Sequence, residues 1–232
     1  TAGTKTITID GTVKGLKFNN GGDKDLMRTI SNWGGLDITE QLTFKGCTNL
    51  NVSASNAPTV TSTTLNSTFM NCPALTAIGT GWNVSSVTNM QNMFNGCTNF
   101  NGYDLVNWNT SSVTIMSNMF RSAIAFNGNI SSWNIANVET LNGFLRSNED
   151  FNQDLSSWNF VKVDDFTNFM FGNADMTTAN YNALLVQIEA TNSKTGKSFH
   201  GGFATHTGAG TTARNALTSR SPAWSITDGG AG

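Results

Sequence analysis

The chain has 232 residues, only 12% of them charged, with a formal net charge of −2; this gives no electrostatic basis for binding nucleic acid or an anionic membrane. The polar remainder is mostly Asn, Ser, Thr and Gly, so a neutral surface rich in hydrogen-bonding groups is expected, as on secreted or particle-surface proteins. Three cysteines at regular spacing, an odd number, argue against a disulfide framework, and no apolar run approaches the length of a membrane span.

The opening "TAGTKTITIDGTV" reads as a strand already under way, the continuation of an upstream part. In "KTITIDGTVKGLKF" Ile7 and Ile9, then Val13, Leu16 and Phe18, alternate as in a hairpin, so residues 1–32 are expected to cap whatever follows. From there the chain repeats. Two worn units open near Trp33 and Val60, and the pattern reaches back through them: Phe44 and Phe69 precede Phe94 at 25-residue spacing, as Cys47 and Cys72 precede Cys97. Regular units begin at Trp82, Trp108, Trp133 and Trp158. Five residues after each Trp stands Val87, Val113, Val138 or Val163, and eight after stands Met90, Met116, Leu141 or Phe166. Further along come Met93-Phe94, Met119-Phe120, Phe144-Leu145 and Phe169-Met170. Later still come Phe100, Phe126, Phe151 and Met176.

A unit of this size cannot enclose its own large side chains, but stacked units can, each layer covering the next. Within a unit, "SSWNIANV" alternates with a period of two and predicts a short strand. "VTNMQNMFNG" spaces Val87, Met90, Met93 and Phe94 helically and predicts one or two helical turns ended by Gly96. "FNGYDL", "FNGNI" and "FNQDL" predict the returning turns. After Met176 the repeat stops. Thr178 is the expected N-cap of a helix burying Tyr181, Leu184, Leu185 and Ile188. A second short helix is expected around "TTARNALTS" and a last strand at "AWSITDGG". The fold class expected is an α/β repeat solenoid: a leucine-rich-repeat-like, right-handed stack of short parallel strands and short helical turns over residues 33–176, with a mixed α/β cap over 177–232.

At "WNVSSVTNMQNMFNGCTNF" and "SSWNFVKVDDFTNFMFGNADM" the sequence resembles the bacterial surface-protein repeats of Mycoplasma lipoproteins, and through them the BspA-like leucine-rich repeats. "YNALLVQIEA", "SFHGG" and "TARNALTSRSPAWSITDGG" are similar to tails that close such arrays in marine bacterial and bacteriophage proteins; the N-terminal segment is similar to the last strand of a PKD-type β-sandwich. The resemblance implies a solenoid displayed extracellularly, at a cell surface or on a virion. It implies no catalytic residue and no assigned ligand.

The candidate sites read from the residues are few. Cys47, Cys72 and Cys97 share one repeat position with Ala123, which reads as a slot for small buried volume and not as a metal centre. His200 and His206 have no acidic or thiol partner nearby in sequence. The Met column reads as core filler, and the scattered acids as a solvated face without the spacing of a calcium loop. The asparagine after each Trp, namely Asn83, Asn109, Asn134 and Asn159, is expected to point outwards if Trp points in. Beside it are expected Asn107, Ser132, Ser157, Ser85 and Ser111. Amides and hydroxyls at regular spacing suit a sugar or protein backbone; the competing reading is an Asn ladder bonded along the stack. Two further sets, Asn92, Asn118 and Asn168, and Asn101, Asn127 and Asn152, read as structural.

No nucleophile–base pair, metal cluster or phosphate loop is visible, so no enzyme, cofactor or metal is expected. The expected function is a surface-displayed recognition or adhesion module for a cell-surface glycan or protein. The alternative is a bacteriophage tail, fibre or capsid-decorating subunit whose partners are other virion proteins. Ice binding ranks below both, because the exposed column is Asn-rich and not a regular Thr array.

Overall fold

The structure, a computed structural model, describes residues 11–232; Ile7 and Ile9 of the predicted hairpin lie outside them. Among the described residues the strands are short and pair in parallel: β1 (Thr12–Lys14), β3 (Gly35–Ile38) and β5 (Thr59–Val60) in one sheet, and β2 (Thr29–Ile30) with β4 (Asn51–Val52) in another. β1 lies alongside β3 as a neighbouring layer. Its segment continues the pairing, because Phe18 and Asn20 donate to the carbonyls of Thr43 and Lys45.

Beyond β5 the layers are joined by single parallel bridges, Thr64 to Asn89 to Ile115 to Thr140 to Asp165. In the regular units these fall seven residues after the Trp. The predicted strand at "SSWNIANV" has the burial alternation expected of it, with Trp133 and Ile135 buried and Ser132 and Asn134 exposed, but it carries no ladder. Its backbone is spent on local turns instead: Trp133 N–H donates to Ile130 O and Val138 N–H to Ile135 O.

The helical turns predicted in "VTNMQNMFNG" are not a helix either. Met93, Asn95 and Cys97 donate to the carbonyls three residues back, while Met90, Asn92, Phe94 and Gly96 donate to Ile115, Ser117, Met119 and Arg121 in the next layer. Alternate amides thus point within the layer and across it. Left-handed residues enforce this: Leu42, Ser67, Asn92, Asn118, Gly143 and Asn168 have φ between +55° and +67°. Four residues further on, Gly46, Asn71, Gly96, Ser122, Ser147 and Gly172 repeat the conformation. A left-handed residue every fourth position stops helix propagation, and Asn and Gly tolerate it best.

The core is a set of aromatic files. The rings of Phe44, Phe69, Phe94 and Phe120 lie nearly parallel, with successive centroids 5.4, 5.7 and 5.6 Å apart. At the next layer Phe120 meets Phe144 edge-on at 84°. There Met119-Phe120 becomes Phe144-Leu145, so the aromatic shifts by one residue and must approach from the side. A second file runs Phe100, Phe126, Phe151. All these rings are fully buried.

Past the repeats, α1 (Thr178–Thr191) buries Tyr181, Leu184, Leu185 and Ile188. Its N-cap is Thr177, one residue before the expected Thr178, with the hydroxyl accepting from Asn180 N–H. β6 (Ser198–His200) bridges from the last layer through Phe166 and Phe199 and pairs in parallel with β7 (Ser225–Thr227). Between them α2 (Gly208–Thr218) packs on α1. It starts three residues earlier than "TTARNALTS", inside the expected Gly-rich turn, with Gly210 buried against Asn182.

Candidate functional site

The asparagines after the tryptophans are exposed, and each makes the same local bond. Asn83 Oδ1 accepts from Ser85 N–H and Oγ, and Asn109 Oδ1 from Ser111 N–H and Oγ. Asn134 Oδ1 accepts from Ala136 N–H, and Asn159 Oδ1 from Val161 N–H. These are Asx turns that close each layer on itself. They replace the ladder along the stack that was the competing expectation. Because every Oδ1 faces its own turn, the amide nitrogens are left over: among the described residues the Nδ2 groups of these four asparagines make no hydrogen bond. The face therefore presents one N–H₂ donor per layer.

The serines of the predicted site are largely consumed by folding. Ser132 Oγ donates to Val106 O and Ser157 Oγ to Ser131 O in the preceding layer, while Ser85 and Ser111 donate to their own asparagines. Only their lone pairs remain for a ligand. Asn107 is exposed beside Trp108. Of the third amide set, Asn127 and Asn152 bond along the stack, with Asn152 N–H donating to Asn127 Oδ1 and Thr177 N–H to Asn152 Oδ1, whereas Asn101 Oδ1 accepts locally from Tyr103 N–H. In the second set, Asn92 Oδ1 accepts from Asn95 Nδ2.

The cysteine column is more than a slot for small volume. Cys72 Sγ–H donates to Phe44 O at 3.1 Å and Cys97 Sγ–H to Phe69 O at 2.9 Å. Beyond Ala123 the same repeat position holds Asn148 and Asn173, both buried, which donate to Ala123 O and Phe151 O. At Cys72, Cys97, Asn148 and Asn173, though not at Ala123, the position supplies a donor to a carbonyl of the layer before. Burial pushes the thiols of Cys47 and Cys97 up to about 12 and that of Cys72 higher still. Iodoacetamide at about pH 8 is therefore expected to leave all three unmodified in the folded protein and to alkylate all three in denaturant, because the thiolate is the nucleophile. Mass spectrometry of the two samples reads the difference.

The histidines are engaged separately: His206 Nδ1 pairs with Thr211 Oγ1 at 2.9 Å, and His200 Nδ1 accepts from Gly202 N–H. A polar knot in the C-terminal part had no signal in the sequence. Asp228 Oδ2 accepts from Tyr181 OH and from Arg214 Nε, both at 2.8 Å, with its side chain only 2% exposed. Its three members come from α1, α2 and the end of β7, separated by 33 and 14 residues, and no local pattern links them.

The family described as Mycoplasma protein of unknown function, DUF285, matches the chain over residues 16–103 and 63–184. No curated protein and no solved structure matches it.

Proposed function

Because this chain belongs to the Mycoplasma repeat family DUF285, we propose that it is a non-enzymatic recognition module, displayed at a cell surface or on a virion, that binds a glycan or protein along its layered face. We read the stack as a right-handed solenoid of the BspA-like, leucine-rich-repeat type; the parallel bridges at one per layer support that reading. A rigid stack of this kind offers an extended surface whose shape does not depend on a ligand.

The observation that carries the proposal is the row of unused amide donors on Asn83, Asn109, Asn134 and Asn159. Folding requires their oxygens and leaves their nitrogens free. An Asn→Asp substitution separates the two roles, since a carboxylate still accepts the Asx-turn bonds but cannot donate. Asn109→Asp and Asn134→Asp are expected to leave the melting temperature unchanged, and each to weaken binding by about 0.5–1.5 kcal/mol. Binding is read on a glycan array and on host cells with the purified protein. Binding that is absent throughout, or indifferent to the Asp variants, would remove this face from consideration.

A further inference from the structure

About half a coil along the chain from the asparagine column lies a second column: Lys45, Met70, Asn95, Arg121, Arg146 and Phe171. The layer bonds align it. The N–H groups of Gly46, Asn71, Gly96, Ser122 and Ser147 donate in turn to the carbonyls of Met70, Asn95, Arg121, Arg146 and Phe171. Arg121 and Arg146 thus occupy one position in adjacent layers of a charge-poor chain.

Among the described residues neither guanidinium has a hydrogen-bond or ion-pair partner, whereas Arg214 and Arg220 are each tied to two or more acceptors. Glu149 and Asp150, just along the chain, form no ion pair with either. Arg146 lies over the ring of Phe171, with Cζ 5.1 Å from its centroid. On Phe171 also packs His200, at 4.8 Å and 67°. His200 Nδ1 is an acceptor, so in the neutral ring the proton sits on Nε2, available to a ligand hydroxyl. Phe171 is 43% exposed and Phe203, tied by its N–H to Asn173 O in the same layer, is 69% exposed. The phenylalanines of the aromatic files, by contrast, are buried completely.

We infer that Arg121, Arg146, Phe171, His200 and Phe203 form a binding site for an acidic sugar, one carrying a carboxylate or a sulfate. Two arginines at one position in adjacent layers match such an anion in charge, and a guanidinium can bind a carboxylate or sulfate through two parallel N–H donors. The exposed rings supply flat apolar surface for the C–H face of a pyranose, and a cation over an aromatic face is held in place electrostatically. Nucleic acid fits less well, because the chain as a whole is slightly acidic and the basic column is only two arginines deep beside these rings. This site is separate from the asparagine face and does not depend on it.

The test is calorimetric titration of the whole chain with three probes: a linear oligogalacturonate, its carboxyl-reduced neutral counterpart, and a heparin-derived tetrasaccharide. The expected result is binding of the carboxylated probe, the sulfated probe or both, and none of the neutral one. Which acidic probe binds decides between carboxylate and sulfate. Arg121→Gln/Arg146→Gln is expected to weaken it about tenfold or more, and Arg146→Lys, which keeps the charge but not the fork, by a smaller factor. Phe203→Ser is expected to weaken it severalfold without moving the melting temperature, since that ring is mostly in solvent. Asn109→Asp should leave it intact, which distinguishes loss of this site from loss of the other face. Absence of binding to both acidic probes, equal binding of the neutral probe, or wild-type affinity in the Arg variants would overturn the assignment. So would competition by an acidic peptide at lower concentration than either sugar.

Discussion

Trp133→Ala is expected to destabilise the protein by about 3–5 kcal/mol. The indole is 2% exposed and lies 6.0 Å from that of Trp108 at an interplanar angle of 6°, with Phe120 tilted against it at 6.1 Å. Its Nε1–H donates to Leu105 O in the preceding layer. Truncation would open a cavity between two layers that are clamped by backbone bonds, so the walls cannot collapse into it. Urea melts of variant and wild type read the cost, and an unchanged midpoint would contradict layered burial.

The neighbouring indole provides the contrast. Trp158 Nε1–H donates to Ile130 O, while Trp33 and Trp82 both donate to Ile78 O. Trp108 Nε1 is buried and without a partner among the described residues. The corresponding residue of the unit before it, Gly79, is left-handed at φ +83°, and the adjacent Ile78 carbonyl already accepts from two indoles. An unpaired buried donor costs about 1–3 kcal/mol. Trp108→Phe removes that donor and Trp133→Phe removes a satisfied one, so Trp133→Phe should be the more damaging by a margin of about that size. Equal midpoints for the two Phe variants would mean that the Trp108 indole finds a partner in solution.

The second large effect is expected at the polar knot. Asp228→Ala should cost about 3 kcal/mol, because it leaves Arg214 and the Tyr181 hydroxyl facing a site without their acceptor. Burial acts to raise the Asp228 carboxyl, but hydrogen bonds from Arg214, Tyr181 and Gly230 N–H outweigh it and hold the group below its ordinary value of 3.8. The sign follows from linkage. A depressed folded-state value means the unfolded chain takes up the proton first, so this contribution is complete above the ordinary value and is lost as pH falls through the depressed one. Asp228→Asn should therefore be less stable than wild type at neutral pH, with the gap narrowing in acid. A gap that stays constant down to the acid-unfolding range would separate the knot from the pH dependence.

How much could be read in advance varies with the kind of contact. The files of Phe44, Phe69 and Phe94, the cysteine position and the buried face of α1 follow directly from spacing, since each depends only on which residues recur and how large they are. The asparagine column was legible as exposed, because it alternates with Trp. That its oxygens are used and its nitrogens are not depends on an Asx turn whose geometry the composition does not specify. The supposed helical turns failed for a local reason: Asn92, Asn118 and Asn168 looked like structural amides, yet their left-handed backbone breaks the helix, and Leu42 and Ser67, residue types that seldom adopt that conformation, hide it in the earlier units. Arg121 and Arg146 did leave a trace, two arginines at one repeat position.

By itself the sequence determined the period and the membership of each column, because a layer of this size buries its large apolar groups only against a layer like itself. Only the tertiary structure decided which carbonyl each indole and thiol reaches, which polar groups are left over, and which charges meet across α1, α2 and β7. Most of those pairings join residues from different layers or different elements, and they depend on how each presents its backbone and side chains to the next, which no local pattern of residues encodes.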